Sequence, residues 1–318
     1  MKMARPERRR QPLKIGLVGL GKIAVDQHIP AIRANRNWEL VAGCSPSSRI
    51  DGLRCYTSME AMLAEHPDID AISLCTPPQI RQALAKQAII AGKHVFLEKP
   101  PAATLGAAEA IRELAQLHGV SLLASWHSRF APAVEAARAW IADRELSSVR
   151  IAWKENVREW HPGQSWIFSA GGSGVFDPGI NSLSILTHLL QHTVIVRKAD
   201  LHVPENCAAP IRAELEMVTD HGLPIRAEYD FLETENQTWS IFAETLEGER
   251  LALHKGGTLL ELNGKVVLDG VDAEYDGLYA HFHELIRSGR SDADFGPMRI
   301  VADAFMIGTL LPAPAFVE

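Results

Sequence analysis

Three small residues near the start of the chain are spaced so that the backbone can pass close to a phosphate group. Gly19, Gly21 and Ala24 follow an apolar run at 13–18 that fits a buried strand, and a helical pattern comes after them. The first glycine permits a tight turn, the second lets backbone N–H groups approach a pyrophosphate, and the small third residue lets the helix pack close to the strand. Such glycines also occur in plain turns, but this strand-to-helix context favours a dinucleotide site. The predicted pyrophosphate site comprises Gly19, Gly21, Lys22, Ile23 and Ala24.

The end of the second predicted strand bears on which dinucleotide is used. An NAD-selective protein usually has Asp or Glu about twenty residues beyond the glycines, where it binds the ribose 2′-hydroxyl. This chain has CSPSSR at 44–49 instead, so no carboxylate is present to repel a 2′-phosphate. Ser45, Ser48 and Arg49 can bind such a phosphate, and we predict that NADP is accepted at least as well as NAD. The alternative is a polar turn whose Arg49 faces water.

Strand and helix patterns alternate through the first 128 residues. Predicted strands lie at 13–18, 39–44, 70–75, 93–97 and 121–125, with helices near 79–91 and 104–118. Such alternation implies an α/β fold with a parallel, doubly wound Rossmann sheet, in which ligands bind at the carboxyl ends of the strands. We therefore expect a flexible tail at 1–12 and a dinucleotide-binding Rossmann domain at 13–128.

Composition excludes several classes of partner. The 318 residues are 47% hydrophobic and 22% charged, which fits a globular protein with two domains. The net charge of -7 argues against nucleic acid as the main partner, because phosphate backbones select basic surfaces. No apolar run is long enough to span a membrane. The four cysteines and 13 histidines form no tight ligand motif, so we expect reduced thiols, a cytoplasmic location and no metal.

Two motifs after the third and fourth strands identify a family. TPP follows the strand at 70–75, and AGKHVFLEKP at 91–100 ends in Glu98-Lys99-Pro100. With the glycine motif, they resemble the Gfo/Idh/MocA oxidoreductases. The resemblance implies that Lys99 lies near the nicotinamide, and it makes the Lys99–Pro100 peptide a candidate for the cis form. Further cofactor contacts implied are Cys75, Thr76, Pro77, Pro78, Glu98 and His127.

The second half of the chain is dominated by strands. A helix at 130–143 precedes predicted strands at 149–157, 211–218, 224–231, 238–245, 258–262 and 265–268, and the last helix is expected near Leu310. Asn263-Gly264, between the final two strands, is typical of a tight hairpin. This half resembles the second domain of the family, which implies an α+β domain at 129–318 with an open, mainly antiparallel sheet. In the family that sheet commonly packs on another subunit, so we expect a homo-oligomer.

A glycine-rich element in this half carries further chemistry. GGSGVFDPGINSLSI at 171–185 is similar to the GGGxxxDxGxH element of the family. Asp177 and Asn181 are four residues apart and share one face if a helix starts here. Most relatives have His where this chain has Asn181, which implies that the proton-relay His is absent. Together with ASWHSRFAPAVEAAR at 124–138 and WKENVREWHPGQSWI at 153–167, the element resembles the aldose 1-dehydrogenases of the family, which act on L-arabinose and D-galactose.

The same resemblance implies a set of sugar contacts. They are His127, Glu155, Trp160 and Trp239, together with Lys99, Asp177 and Asn181. Sugar hydroxyls need charged or amide partners, and the apolar face of a pyranose ring suits aromatic side chains. Alternative interpretations are that Trp239 is a core residue, that Glu155 faces water from a strand, and that His127 only ends a strand.

The roles of three residues follow from the chemistry that the resemblance implies. Oxidation of a cyclic aldose at C1 removes a hydride from carbon and a proton from the anomeric hydroxyl. Asp177 is the expected base, and Lys99 is expected to orient the hydroxyl and stabilise its negative charge. Asn181 cannot take up the proton, so we expect it to hold the carboxylate or the sugar. The alternative makes Lys99 the base.

We therefore predict NAD(P)-dependent oxidation of D-galactose, L-arabinose or D-fucose at C1 to the aldonolactone. These sugars have the same ring stereochemistry from C1 to C4, and the sequence does not separate them. One alternative is another sugar or polyol oxidoreductase of the family, including one that holds NADP tightly and passes hydride between two sugars. A second alternative is a non-catalytic NADP-binding sensor, although a sensor is expected to lack Lys99 or Asp177, and both are present.

Overall fold

The computed structural model describes residues 11–317, and the first of the two sheets formed by these residues is entirely parallel, with the order β3-β2-β1-β4-β5-β6. Its strands are β1 (Leu13–Val18), β2 (Trp38–Cys44), β3 (Cys55–Tyr56), β4 (Ala71–Leu74), β5 (His94–Leu97) and β6 (Leu122–Ala124). The connecting helices are α1 (Ile29–Ala34), α2 (Met59–Glu65), α3 (Pro78–Ile90) and α4 (Leu105–His118). Every residue of β4 is buried, as in a parallel sheet that helices cover on both faces. The predicted doubly wound sheet is confirmed.

The second sheet has the order β14-β13-β12-β11-β7-β10-β9-β8-β15. Its strands are β7 (Leu146–Lys154), β8 (Val194–Pro204), β9 (Arg212–Thr219), β10 (Pro224–Asp230), β11 (Thr238–Thr245), β12 (Arg250–His254), β13 (Leu259–Leu262), β14 (Lys265–Asp269) and β15 (Thr309–Ala313). The helices of this half are α5 (Val134–Ala142), α6 (Val157–Trp160), α7 (Phe176–Leu190), α8 (Glu274–Ser288) and α9 (Gly296–Ile307). Two neighbouring pairs, β7 with β10 and β8 with β15, are parallel, and the others are antiparallel. The expected open, mainly antiparallel sheet is confirmed.

Three strands of this sheet were missing from the sequence prediction, namely β8, β12 and β15. In β8 the pairing register shifts between Val196 and Lys198, and this irregularity breaks the two-residue alternation that indicates a strand. The last helix, expected near Leu310, is α9, which ends at Ile307, and Leu310 itself lies in the edge strand β15. The predicted hairpin at Asn263-Gly264 is confirmed, with both residues at positive φ.

The helix α8, far along the chain, packs against the first sheet rather than the second. Its buried residues Tyr279 and Phe282 form one apolar cluster with Ile15 and Leu17 of β1. The ring of Trp38 in β2 stacks on Phe282 at 5.5 Å, and its Nε1 donates to the backbone oxygen of Tyr279 at 2.9 Å. The domain boundary between residues 128 and 129 stays a prediction. The packing of α8 means that a helix late in the sequence lies against the first sheet.

The outer face of the second sheet is polar at its centre. In β9 and β10, exposed residues alternate with buried ones, and Glu214, Glu216, Arg226 and Glu228 lie on the exposed face. The prediction that this sheet joins subunits stays a prediction. No helix within residues 11–317 is long and apolar enough to cross a membrane. The expected tail falls mainly on residues 1–10, which lie outside the described residues, and Gln11 and Pro12 are exposed.

Candidate active site

The predicted cofactor residues follow the carboxyl ends of five neighbouring strands of the first sheet. Gly19, Gly21, Lys22, Ile23 and Ala24 follow β1; Ser45, Ser48 and Arg49 follow β2; Cys75, Thr76, Pro77 and Pro78 follow β4; Glu98 and Lys99 follow β5; and His127 lies beyond β6. Carboxyl ends of parallel strands meet at one edge of a sheet, and this is where doubly wound proteins bind ligands. The fold therefore gathers the predicted residues along one edge.

The turn after β1 has the shape that a pyrophosphate needs. Gly19 has a φ of +92°, and a Cβ there would lie 2.9 Å from the backbone of Cys75 and Thr76. A Cβ on Gly21 would instead meet no atom within 4 Å, so this glycine faces open space. The buried Thr76 Oγ1 makes no hydrogen bond within the described chain, which leaves a polar atom for a ligand. These features fit a bound dinucleotide. Lys22, in the same turn, pairs with Asp26 at the surface.

The loop after β2 is held by its own polar groups. The exposed Arg49 donates from Nη1 to the backbone oxygens of Ser45 at 3.0 Å and Ser48 at 2.8 Å. The backbone N–H of Ser48 donates to Ser45 Oγ at 3.1 Å. Residues 45–49 contain no carboxylate. Recognition of a 2′-phosphate by this loop stays a prediction.

Glu98, the residue before Lys99, belongs to a buried cluster of polar side chains. The Glu98 carboxylate accepts hydrogen bonds from Tyr275 Oη at 2.7 Å and from the backbone N–H of Lys99 at 2.7 Å, and it lies 3.2 Å from His28 Nε2. His28 comes from a π-helical turn at Ala24–His28, directly after the glycine motif, and its Nδ1 lies 2.7 Å from Tyr279 Oη. The cluster therefore joins the glycine motif, the strand β5 and the helix α8.

The charges of this cluster are strongly coupled. Burial opposes ionisation of Glu98, but the hydrogen bond and charge of His28 outweigh it and hold the Glu98 pKa well below its ordinary range. Burial also opposes protonation of His28, but the interactions with Cys75 and Tyr279 and the hydrogen bond to Glu98 raise the His28 pKa well above its ordinary value. Burial lowers the pKa of Arg81 to about 10. Arg81 remains a cation at neutral pH and donates to the backbone oxygens of Thr76, Glu98 and Pro100, so it fixes both cofactor loops.

Lys99 reaches the second half of the chain directly. The Lys99–Pro100 peptide is cis, as expected. Lys99 Nζ donates to Asp177 Oδ2 at 3.1 Å and to the backbone oxygen of Asp177 at 3.0 Å. Asp177 is 3% exposed, and its Oδ1 has no hydrogen-bond partner within residues 11–317. A Lys–Asp pair with one unpaired carboxylate oxygen can bind a hydroxyl group and accept its proton.

Asp177 and Asn181 lie one turn apart near the start of α7, as predicted. The chain enters this helix through Gly174 at φ +57°, where a Cβ would lie 2.2 Å from the backbone oxygen of Pro210. Only glycine fits there, so the glycine-rich run fixes where the helix begins. The buried Oδ1 of Asn181 also lacks a hydrogen-bond partner in the described structure. Two unpaired oxygens on one helical face are consistent with a ligand that has hydroxyl groups.

Glu155 lies between a tryptophan and a histidine. The predicted strand at 149–157 includes Glu155, but the observed strand β7 ends at Lys154, so Glu155 follows the strand. Glu155 is 4% exposed, and the interpretation that it faces water is wrong. Trp239 Nε1 donates to Glu155 Oε2 at 2.6 Å, and His161 Nε2 lies 3.0 Å from Glu155 Oε1. Two partners therefore orient this carboxylate.

His161 is the main residue of the site that the sequence prediction missed. Its Nδ1 lies 3.8 Å from Asp177 Oδ2, so one imidazole stands between Glu155 and Asp177. The prediction of no relay histidine concerned position 181, which is Asn181. A histidine from another element, the residue directly after α6, nevertheless lies beside Asp177. The available signal was the WHPG sequence at 160–163, in which only the tryptophan was assigned to the site.

The two remaining predicted sugar contacts, Trp160 and His127, lie in different parts of the structure. Trp160 is 46% exposed, packs edge-on against Trp239 at 5.4 Å, and donates from Nε1 to Gln237 at 2.7 Å. The two indoles form an aromatic corner beside Glu155. His127 instead forms an ion pair with Glu274, and its ring stacks on that of Tyr275 at 5.4 Å. Because Tyr275 donates to Glu98, His127 lies next to the buried Glu98 cluster.

Comparisons of the sequence and of the fold with known proteins point to the same group of relatives. A model of the Gfo/Idh/MocA oxidoreductase family, described as an NAD-binding Rossmann fold, matches residues 13–125. Galactose 1-dehydrogenase of Pseudomonas fluorescens is 46% identical over 97% of this chain and 100% of its own length. The crystal structure of D-galactose-1-dehydrogenase from Rhizobium etli is 49% identical, with a TM-score of 0.93 over 98% of this chain and 99% of that chain.

A more distant structure shares the fold alone. It is a 3-ketoreductase from Actinomadura kijaniata in complex with NADP and TDP-benzene, 18% identical, with a TM-score of 0.84 over 95% of this chain and 100% of that chain. The two-sheet architecture is thus retained where most side chains differ. From the full-length similarity and the matching domain, the chain belongs to the Gfo/Idh/MocA oxidoreductase family.

Proposed function

We propose that this oxidoreductase oxidises an aldopyranose of the galactose type at C1 to the aldonolactone, with NAD or NADP as hydride acceptor. The observation that carries the proposal is the buried Lys99–Asp177 pair, which joins the carboxyl edge of the first sheet to the start of α7. His161 lies beside the same Asp177 oxygen, and Glu155 and the corner of Trp160 and Trp239 are linked to His161. The two galactose dehydrogenases among the similar proteins support the same substrate class.

In the proposed reaction, Asp177 takes the proton of the anomeric hydroxyl. As the O–H bond breaks, the C1–O bond becomes a carbonyl and C1 loses a hydride, which gives the lactone. A bound nicotinamide dinucleotide supplies the hydride acceptor. Lys99 Nζ donates to the anomeric oxygen and stabilises its negative charge, while Asn181 positions the sugar from the next turn of α7. Glu155 accepts from sugar hydroxyls, and the indoles cover the apolar ring face.

A panel of aldoses with NAD and with NADP tests this function. We expect D-galactose, L-arabinose and D-fucose to reduce the dinucleotide, because they have the same stereochemistry from C1 to C4. Formation of the lactone, followed by its hydrolysis to the acid, identifies C1 as the site of oxidation. Failure of every aldose would contradict the proposal. Purified protein that absorbs as bound NADP(H) and turns over without added cofactor would favour hydride exchange between two sugars instead.

We also propose that Arg49 gives the protein its use of NADP. Replacing Arg49 with alanine is expected to raise KM for NADP by roughly tenfold to a hundredfold, because a charge-assisted contact to a phosphate contributes about 1.5–3 kcal/mol. KM for NAD should change little. Steady-state kinetics with both cofactors at saturating sugar measure the two effects. A strong NAD preference in the wild type, with NADP use unchanged in R49A, would refute this role.

The Glu155 carboxylate is expected to hold the sugar rather than to take part in proton transfer. In Glu155→Gln we expect KM for galactose to rise by roughly tenfold or more, since a hydrogen bond to a charged group is lost, while KM for the dinucleotide stays unchanged. Trp140→Phe, in a half-buried packing position of α5, serves as the control and should leave both constants unaltered. Equal sugar KM values in wild type and E155Q would remove Glu155 from the sugar site.

A further inference from the structure

Two histidines and an aspartate converge on the surface at the end of α7 that is remote from Asp177. His192 follows the last turn of this helix, and Asp220 and His221 lie in the turn between β9 and β10. One ligand atom from each residue lies within 4.8 Å of the others. His192 Nδ1 is 3.6 Å and His221 Nε2 is 4.0 Å from the same oxygen, Asp220 Oδ1.

These three ligand atoms are not engaged elsewhere in the described chain. Separations of 3.6 Å and 4.0 Å are too long for hydrogen bonds, and residues 11–317 offer none of the three side chains another hydrogen-bond partner. The imidazole rings are 4.5 Å apart at an interplanar angle of 73°, so they are not stacked. The side chains of His192 and Asp220 are each 45% exposed and that of His221 is 71% exposed, which leaves the site open to an ion from solvent.

The backbone holds the three residues in place. Gln191, at φ 54°, ends α7 in the left-handed conformation and turns the chain toward β8. The backbone N–H of Asp220 then donates to the oxygen of Thr193 at 3.0 Å, which fastens the β9–β10 turn to the segment after the helix. The turn itself closes through Gly222 at φ +89°. Both segments that supply ligands are therefore joined before any ion binds.

We propose that His192, Asp220 and His221 form a binding site for a divalent transition-metal ion, with Zn²⁺ as the best fit. Zinc takes imidazole and carboxylate ligands at about 2.0–2.2 Å in a tetrahedron, which requires ligand atoms about 3.3 Å apart. Ion binding would require rotations of these three exposed side chains that bring the ligand atoms, now within 4.8 Å of one another, to that separation. Two imidazole ligands disfavour Mg²⁺ and Ca²⁺, which bind oxygen. The fourth position is left to water.

The role of this site is structural. The ion links the end of α7 to the β9–β10 turn, and α7 is the helix that begins with Phe176 and Asp177. A ligand that binds only the folded chain stabilises it, so the bound ion should raise the melting temperature. The prediction of no metal rested on motifs of closely spaced ligands. His192 and Asp220 are 28 residues apart in the sequence, so no such motif includes both of them.

Calorimetric titration of ZnCl₂ into the full chain, prepared without a polyhistidine tag, tests the site. We expect one tight ion per chain in the wild type, and binding at least roughly tenfold weaker in His192→Ala, in His221→Ala and in Asp220→Asn, because the alanines remove an imidazole ligand and the asparagine removes the carboxylate charge. His118→Ala, at another exposed position on the end of α4, is the control and should bind zinc as the wild type does. MgCl₂ should give no binding.

Thermal unfolding provides a second readout that does not depend on enzyme activity. Zinc should raise the melting temperature of the wild type and of H118A but not of H192A or H221A, while all four melt alike without metal. Anomalous diffraction at the zinc edge should place the ion between the three side chains. The proposal is overturned if the wild type binds no zinc, or if H192A and H221A bind it as tightly as the wild type.

Discussion

Replacing Asp177 with asparagine is expected to lower kcat for galactose by about a hundredfold or more, the usual contribution of general-base catalysis. The change retains the shape of the side chain and removes its basicity. Asp177 has one oxygen bound to Lys99 and another with no hydrogen-bond partner among residues 11–317, which leaves that oxygen for the anomeric hydroxyl. Initial rates at saturating sugar measure kcat, and quenching of protein fluorescence by NADPH measures cofactor affinity, which should be unchanged.

Two other variants distinguish the possible bases. Lys99→Met removes the group that orients and stabilises the anomeric oxygen, so it should also be severely impaired. His161→Asn should be less impaired than Asp177→Asn, because the carboxylate stays in place and loses only a neighbour at 3.8 Å. Near-normal turnover in D177N together with an inactive K99M would assign the base to Lys99. A larger loss in H161N than in D177N would assign it to His161.

Replacing Glu98 with glutamine is expected to reduce the free energy of unfolding by roughly 3–5 kcal/mol, as when one partner of a buried ion pair is removed. Glu98 and His28 are both buried, and Glu98 also accepts from Tyr275 and from the backbone of Lys99. Without the carboxylate, the protonated His28 loses its counter-charge in a site without water access. Urea unfolding followed by tryptophan fluorescence measures the change.

A surface pair serves as the matched control for this prediction. Glu65→Gln breaks the exposed ion pair with Arg54, in which the two side chains are 54% and 64% exposed, and the free energy should change by less than about 1 kcal/mol. Equal unfolding midpoints for E98Q and E65Q would contradict the view that the buried cluster is a major source of stability.

The stabilisation by this pair should also depend on pH. The Glu98 pKa is lowered on folding, so its contribution is present above the ordinary value of 4.5 and is lost as pH falls below it. The His28 pKa is raised on folding, so its contribution is complete below 6.5 and is lost as pH rises through the folded-state value. The difference between wild type and E98Q should therefore be largest between about pH 4.5 and 6.5.

The sequence predicted the first sheet well because the signals there are local. The apolar runs, the glycine motif and the positions of Glu98 and Lys99 after a strand are all features of short segments. The second sheet was predicted less completely, since the irregular register of β8 and the edge strand β15 depend on pairing with distant strands. Family resemblance supplied Asp177 and Glu155, and the structure then placed Asp177 against Lys99 and Glu155 against His161.

The residues that sequence reasoning missed act through long-range contacts. His161 is 16 residues before Asp177, and His28 is 70 residues before Glu98, so no motif of fixed spacing links the partners. Each residue type alone fits an ordinary surface or core position. Burial together with an opposite charge is what gives these histidines a specific role, and both properties are known only from the folded chain.

The late position of α8 has a consequence for how the protein is synthesised. The nucleotide-binding sheet is complete in the sequence at Ala124, yet the helix that covers one of its faces and supplies Tyr275 and Tyr279 to the Glu98 cluster begins at Glu274. On the ribosome, roughly half of the chain is therefore made while the part of that apolar face that α8 covers is still exposed. The sheet then needs either the nascent second half or a chaperone to shield it, and a fragment that ends at the first domain should aggregate when expressed alone.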